Sequence, residues 1–350
     1  MSTQRIDIDP LGDTLVILQK QDSENDDPSS AQVDDSSDSL ASPAELHLLC
    51  SKKHLTSASV RAHKMFAGGF RESIPDEMDG LYHWKFEPIF DAKAFEMVMK
   101  IIHGKTRDTP RTVNAELLAG IAAVVDDLQC HDTLWFFAKG WLTNLKFDAP
   151  VGICKELAQL ILISYVFEDP ALFQTSTKTA ITCSLGSVPT FGLPIPPKIL
   201  STPPAAPSLG QVLTRPGHIE AQRQHTLENL MAGLYDLQRK ILYNELGCSS
   251  GCRAMLLGAL IQEMAADSLY PTRPSRPFSS LSVQSTIASL RKYQSRKYYS
   301  SQQEGDPEKH SGEWEMEQQY HRRTSNWEGL PKKLSFRRQK NDSDGRTHLI

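Results

Sequence analysis

The sequence predicts an α+β fold that continues into a mainly α-helical region, and three observations carry that reading. Residues 14–20 (TLVILQK) and 45–51 (ELHLLCS) are short runs rich in Val, Ile and Leu, the residue types and length of strands. Residues 81–87 (LYHWKFE) form a third such run, separated from the second by a helical stretch. Three amphipathic helices then succeed one another within residues 91–147, and helical periodicity persists beyond them.

In chain order, residues 1–13 are polar and acidic and read as an N-terminal arm. The first two strands suit a hairpin, which normally needs only a few connecting residues. Here 24 residues, 21–44, lie between them, with Asp22, Glu24, Asp26, Asp27, Asp34, Asp35 and Asp38 among many serines and no Lys or Arg. Such a composition cannot bury enough apolar surface to order itself, so it reads as a solvated acidic insertion. A short helix is predicted from about His54 and a second over 59–66, followed by Gly68-Gly69-Phe70-Arg71-Glu72-Ser73.

After the third strand, Asp91 is placed to cap a helix whose Phe95, Val98, Met99 and Ile102 share one face, and Gly104 ends it. The next helix follows Pro110, with Thr112 and Asn114 as candidate caps and Leu117, Ile121, Val124, Val125 and Leu128 as its stripe. A third carries Leu134, Phe137, Ala138, Trp141, Leu142 and Leu145. Helices of about four turns do not stand alone in water, so these must pack on one another and on the strands.

This succession, with its SKKHLTSASVRAHKMFAGGFRES segment (51–73), DAKAFEMVMKIIHG (91–104) and VVDDLQCHDTLWFFAKGWL (124–142), resembles BTB/POZ domains, especially those of BTB-type proteins of filamentous fungi. The resemblance covers residues 10–148 and departs from the common pattern in two places. Asp13 precedes the first strand where common members hold an Asp within it, and Ser51-Lys52-Lys53-His54-Leu55 replaces a buried His-Arg-x-x-Leu. The resemblance implies a protein-interaction module: a homodimer or a binder of partners that include cullin scaffolds of ubiquitin ligases and transcriptional co-regulators. It places Leu55, Met65 and Phe66 at a dimer face and Phe90 on the partner side, although each also suits an ordinary core position.

Residues 149–185 read as a helical extension, with Ile153, Leu157, Leu160, Ile161 and Ser164 on one face and a second helix over 171–185. Residues 186–217 hold eight prolines without apolar periodicity and read as a linker; Pro194-x-x-Pro197 and Pro204-x-x-Pro207 have the spacing that SH3 or WW domains accept. Residues 218–293 form a C-terminal helical region. Its longest stripe, Leu227, Leu230, Met231, Leu234, Leu237, Ile241 and Leu242, suits a helical hairpin with residues 253–269 better than a coiled coil, because it lasts too few heptads. A last short helix over 282–293 carries Val283, Ile287 and Leu290. Residues 294–350 are rich in Gln, Glu, Ser, Arg and Lys and are predicted to be a disordered basic tail.

Composition narrows the function classes. The net charge of -4 conceals 11 acids against 2 bases in residues 1–45 and 15 bases against 9 acids in residues 271–350. The beginning of the chain lacks a signal-peptide layout and no run reaches the length of a membrane span, which predicts an intracellular protein of the cytoplasm or nucleus. Lys332, Lys333, Arg337 and Arg338 form a basic cluster that suits either nuclear import or a solvated tail. Six scattered cysteines point to reduced thiols; Cys248 and Cys252, four apart at a turn, lack the second pair a structural zinc site wants.

No Gly-rich phosphate loop and no nucleophile elbow is present, and Cys130-His131 is the single adjacent Cys–His pair. The expectation is therefore a protein without catalytic, cofactor or metal site. The basic tail lacks interleaved aromatics and no DNA-binding motif occurs, so direct nucleic-acid binding is not expected, nor is membrane association.

Overall fold

Strand β1 (Thr3–Asp7), β2 (Thr14–Gln19), β3 (Glu45–Cys50) and β4 (Tyr82–Phe86) lie side by side in the order β1-β3-β2-β4. This computed structural model describes residues 3–19, 45–145, 150–200, 219–247 and 249–293. The predicted hairpin is present: β2 and β3 run antiparallel, with Thr14 opposite Cys50 and Gln19 opposite Glu45. β4 joins β2 in parallel and β1 joins β3 in parallel. The fold class is thus mixed α and β, a small sheet with mostly helices.

β1 corrects the sequence reading of residues 1–13 as an arm. Its side chains Thr3, Gln4, Arg5 and Asp7 are exposed, so it has none of the apolar alternation that marks a half-buried strand. An edge strand can be held by backbone pairing alone. Ile8 is buried just beyond it, and the Asp9 amide donates to Leu49 O at 2.9 Å. Gly12 follows where a Cβ would lie 2.5 Å from Cys50 O, so this turn requires a residue without a side chain.

The chain divides into two compact units, residues 1–148 with 162–169, and residues 149–161 with 170–350. In the first, α1 (Lys52–Ala58), α2 (Val60–Ala67), α3 (Ala92–Ile102), α4 (Ala115–Leu128) and α5 (His131–Asn144) accompany the sheet. The starts of α3 and α4 follow the capping chemistry in the sequence: Asp91 accepts from Ala94 N–H at 2.7 Å, and Asn114 from Leu117 N–H at 2.9 Å. Of the predicted stripe residues, Phe95, Val98, Met99, Ile102, Ile121, Val124, Val125, Leu128, Leu134, Ala138 and Trp141 are buried, whereas Leu117, Phe137, Leu142 and Leu145 are half-buried and Leu118, outside the predicted stripe, is buried instead. Trp141 also satisfies its indole N–H on Pro110 O at 2.9 Å.

The division falls within α6 (Lys155–Val166), which is buried continuously from Leu157 to Ser164. The second unit holds α7 (Pro170–Cys183), α8 (Pro197–Leu200), α9 (Ile219–Leu242), α10 (Ser250–Ala266) and α11 (Val283–Lys292). Leu227, Leu230, Met231, Leu234, Leu237 and Ile241 of α9 form one apolar cluster with Leu260 and Met264 of α10 and with Val283 and Leu290 of α11. The hairpin expectation therefore holds, except that Leu242 falls off the stripe and is exposed. Arg223, also on α9, is fully buried. Its guanidinium grips both carboxylate oxygens of Glu220 and donates to the carbonyls of Pro277, Phe278 and Leu281.

Residues 186–200 are not the plain linker the sequence suggested. Val188, Ile195, Ile199 and Leu200 are buried, and Pro197 opens α8 at the first helical position, which its fixed φ favours. Pro194-x-x-Pro197 therefore ends in a helical turn rather than in an extended ligand. The acidic insertion 21–44, Pro204-x-x-Pro207, Cys248 and the tail 294–350 with Lys332, Lys333, Arg337 and Arg338 lie outside the described residues. Among the described residues no helix is long and apolar enough to cross a membrane.

Candidate interaction surface

The segment from α1 to β4 is built on the aromatic side chains of β4. Tyr82, Trp84 and Phe86 alternate along the strand and so share one face. Phe66 of α2 meets Tyr82 and Trp84 edge-on, each at 5.8 Å between centroids. Two cations cover the same rings: Lys52 Nζ sits 3.7 Å from the Tyr82 centroid, and the Arg61 guanidinium 5.4 Å from that of Phe86. Arg61 also pairs with Asp127 of α4, whose carboxyl is pushed up by burial while Arg61 acts against that shift.

Helix α2 is fixed at its start by Ser59, a buried residue between the two short helices. Its Oγ accepts from Ala62 N–H at 2.9 Å and donates to Leu128 O at 2.6 Å, so one hydroxyl caps α2 and ties it to the end of α4. At its other end the chain passes Gly68, where a Cβ would lie 2.8 Å from the Phe70 ring. A side chain there would displace the Phe70 ring, so this glycine leaves the space the ring occupies. Phe70 then enters a 3-10 turn (Arg71–Ser73), accepting at its carbonyl from Ser73 N–H, and Ile74 leaves it.

A second turn follows immediately. Asp76 Oδ1 accepts from Met78 N–H and Asp79 Oδ1 from Leu81 N–H, each at 3.0 Å, and His83 Nε2 bonds Asp79 Oδ2 at 2.9 Å. The Leu81 amide, and then His83, hold the Asp79 carboxyl below the usual carboxylate range. These bonds present Met78 at the tip.

The residues on which the sequence reading placed an interface behave differently from one another. Leu55 (1 % exposed) and Phe66 (8 % exposed) take the ordinary core position that the sequence also allowed, and on this chain neither is presented to a partner. Met65 is half-buried. Phe90 is half-buried as well, its ring against Phe86 and Phe95 at 5.9 and 5.8 Å. The solvent-facing apolar side chains of the segment are instead Phe70 (58 %), Ile74 (66 %) and Met78 (94 %), joined by Val60 at the start of α2. Helix α5 adds Trp135 and Phe136, both exposed.

The sequence reading missed these residues, although two signals could have found them. Gly68-Gly69 ahead of a Phe marks a turn that carries an aromatic, and Leu134-Trp135-Phe136-Phe137-Ala138 places more apolar residues in succession than one helix face can bury. The Cys130-His131 pair is organised otherwise. Cys130 is buried, and burial pushes its thiol up to about 12, so it is held as the weakly nucleophilic thiol. Cys50 is likewise pushed up to about 12 by burial. Among the described residues no group of three or more His, Cys, Asp or Glu side chains is placed to hold a metal ion.

No protein-family model, no curated protein and no solved structure matches the chain.

Proposed function

We propose that this chain is a non-enzymatic protein-interaction scaffold of BTB/POZ type that binds its partner through the exposed apolar residues between α2 and β4. The observation that carries this reading is the display of Phe70, Ile74 and Met78 on two hydrogen-bonded turns above a well-packed sheet. Large apolar side chains held out to water in one short segment mark a surface that another protein covers. The order hairpin, paired short helices, β4, then α3, α4 and α5 is the succession of elements on which the resemblance to BTB domains rests, and it supports this reading.

The test is affinity purification of the full-length chain from an extract of its own cells, compared with a chain lacking residues 45–147, with bound proteins identified by mass spectrometry. Loss of a cullin with the deletion assigns the scaffold to a ubiquitin-ligase adaptor. Loss of nuclear co-regulators assigns it to transcription, and loss of a second copy alone to homodimerisation. Retention of every partner by the deleted chain overturns the proposal.

A further inference from the structure

We infer that His103 is an acid-operated latch on α1: protonation of its imidazole takes away the acceptor that holds the Ser51 amide and frees the first turn of that helix. The geometry fixes the protonation state. Nδ1 lies 2.8 Å from Met99 O, a carbonyl that can only accept, so Nδ1 carries the proton. Nε2 accepts the Ser51 N–H at 2.9 Å, so it must be bare. An imidazolium has no acceptor, and adding a proton at Nε2 sets two donors face to face.

The position of this bond gives it leverage. Ser51 is the N-cap of α1 but makes no capping bond with its own side chain. The first amides of a helix lack partners inside it. Here two of them are taken by distant side chains: Ser51 N–H by His103 at the end of α3, and Lys52 N–H by Asp13 Oδ1 at 2.7 Å. The Asp13 hold is on a different side chain and does not pass through the imidazole. Protonation of His103 therefore removes one hold and leaves the other.

The charges around His103 come from three directions. Burial disfavours the imidazolium most strongly, and His54 of α1, with ring centroids 5.1 Å apart, opposes it when charged; Asp9 and the Met99 carbonyl favour it. Lys52 and Asp13 flank the same helix start. The balance lowers the folded-state pKa below the ordinary histidine value. The unfolded chain then takes up its proton at higher pH than the folded one, so stability from this site is complete above the ordinary histidine range and is lost as pH falls through it.

The experiment is hydrogen exchange on the full-length protein between about pH 7.5 and about pH 5, the span of imidazole titration, corrected for the intrinsic pH dependence and read at α1 and α4 together. The expected result is a loss of protection in α1 about tenfold greater than in α4, the size of one lost hydrogen bond. His103→Gln, whose carbonyl can accept from Ser51 without titrating, should flatten the difference. In the wild-type chain the Ser51 amide resonance should move with the His103 ring protons, a readout that does not depend on the variant folding. Parallel loss in α1 and α4, or titration of His103 with no change at Ser51, overturns the inference.

Discussion

Helices α3 and α10 are both mostly apolar, and the structure uses them in opposite ways. In α3, Ala94, Phe95, Val98, Met99, Ile101 and Ile102 are all buried, leaving Lys93, Glu96 and Lys100 toward the outside. In α10 only Leu260 and Met264 are buried, although Arg253 and Glu263 are its sole charged residues. Apolar content therefore decides that a helix can be covered; which side chains are covered depends on how many neighbours the fold supplies. Within its unit α3 packs against β3, α1, α4 and α5, whereas α10 packs chiefly against α9.

The largest expected effects lie where neighbours are many. Phe95→Ala removes a ring held by Phe86 and Phe90 and should destabilise the first unit by about 3–5 kcal/mol in urea unfolding, the range for buried Phe truncation. Arg223→Met should act comparably on the second unit, by about 3–5 kcal/mol, because it strands the Glu220 carboxylate in a site closed to water. Hydrogen exchange in α9 and α11 would register it. Only a small loss there would mean that the buried ion pair, and not the apolar cluster, is dispensable.

Ser59→Ala should follow, at about 1–2 kcal/mol, since it removes the α2 cap and leaves Leu128 O without this donor. Gly258→Ala tests the other side of the comparison. A Cβ at Gly258 meets nothing within 4 Å, so the substitution should stabilise α10 by up to about 1 kcal/mol through helix propensity alone. A loss instead would show that this face of α10 is covered.

The same distinction explains what was legible in the sequence. The hairpin strands and β4 follow from short runs of strand-forming residues, and α3 to α5 from apolar period, with capping residues at α3 and α4, because those signals are local. Asp91, Asn114 and Ser59 mark helix starts by chemistry that acts within three residues. β1 was not legible, since a polar edge strand is held by backbone bonds that leave no trace in side-chain pattern. Nor were Val188, Ile195 and Ile199, which are buried without any apolar period of their own. At the candidate surface, helical position identified Leu55 and Phe66 as apolar but could not tell core from contact. Only tertiary packing separates them from Phe70 and Ile74.

The central claim is that the exposed turn residues, not the buried helix residues, engage the partner, and Phe70→Asp tests it most directly. Phe70 is exposed, so the substitution should change stability by no more than about 0.5 kcal/mol. Full-length wild-type and Phe70→Asp chains would be purified side by side from the same extract after their melting curves have been matched. The account predicts unchanged melting and loss of the partners that the wild-type chain retains. An unchanged set of partners on a folded Phe70→Asp chain would contradict it.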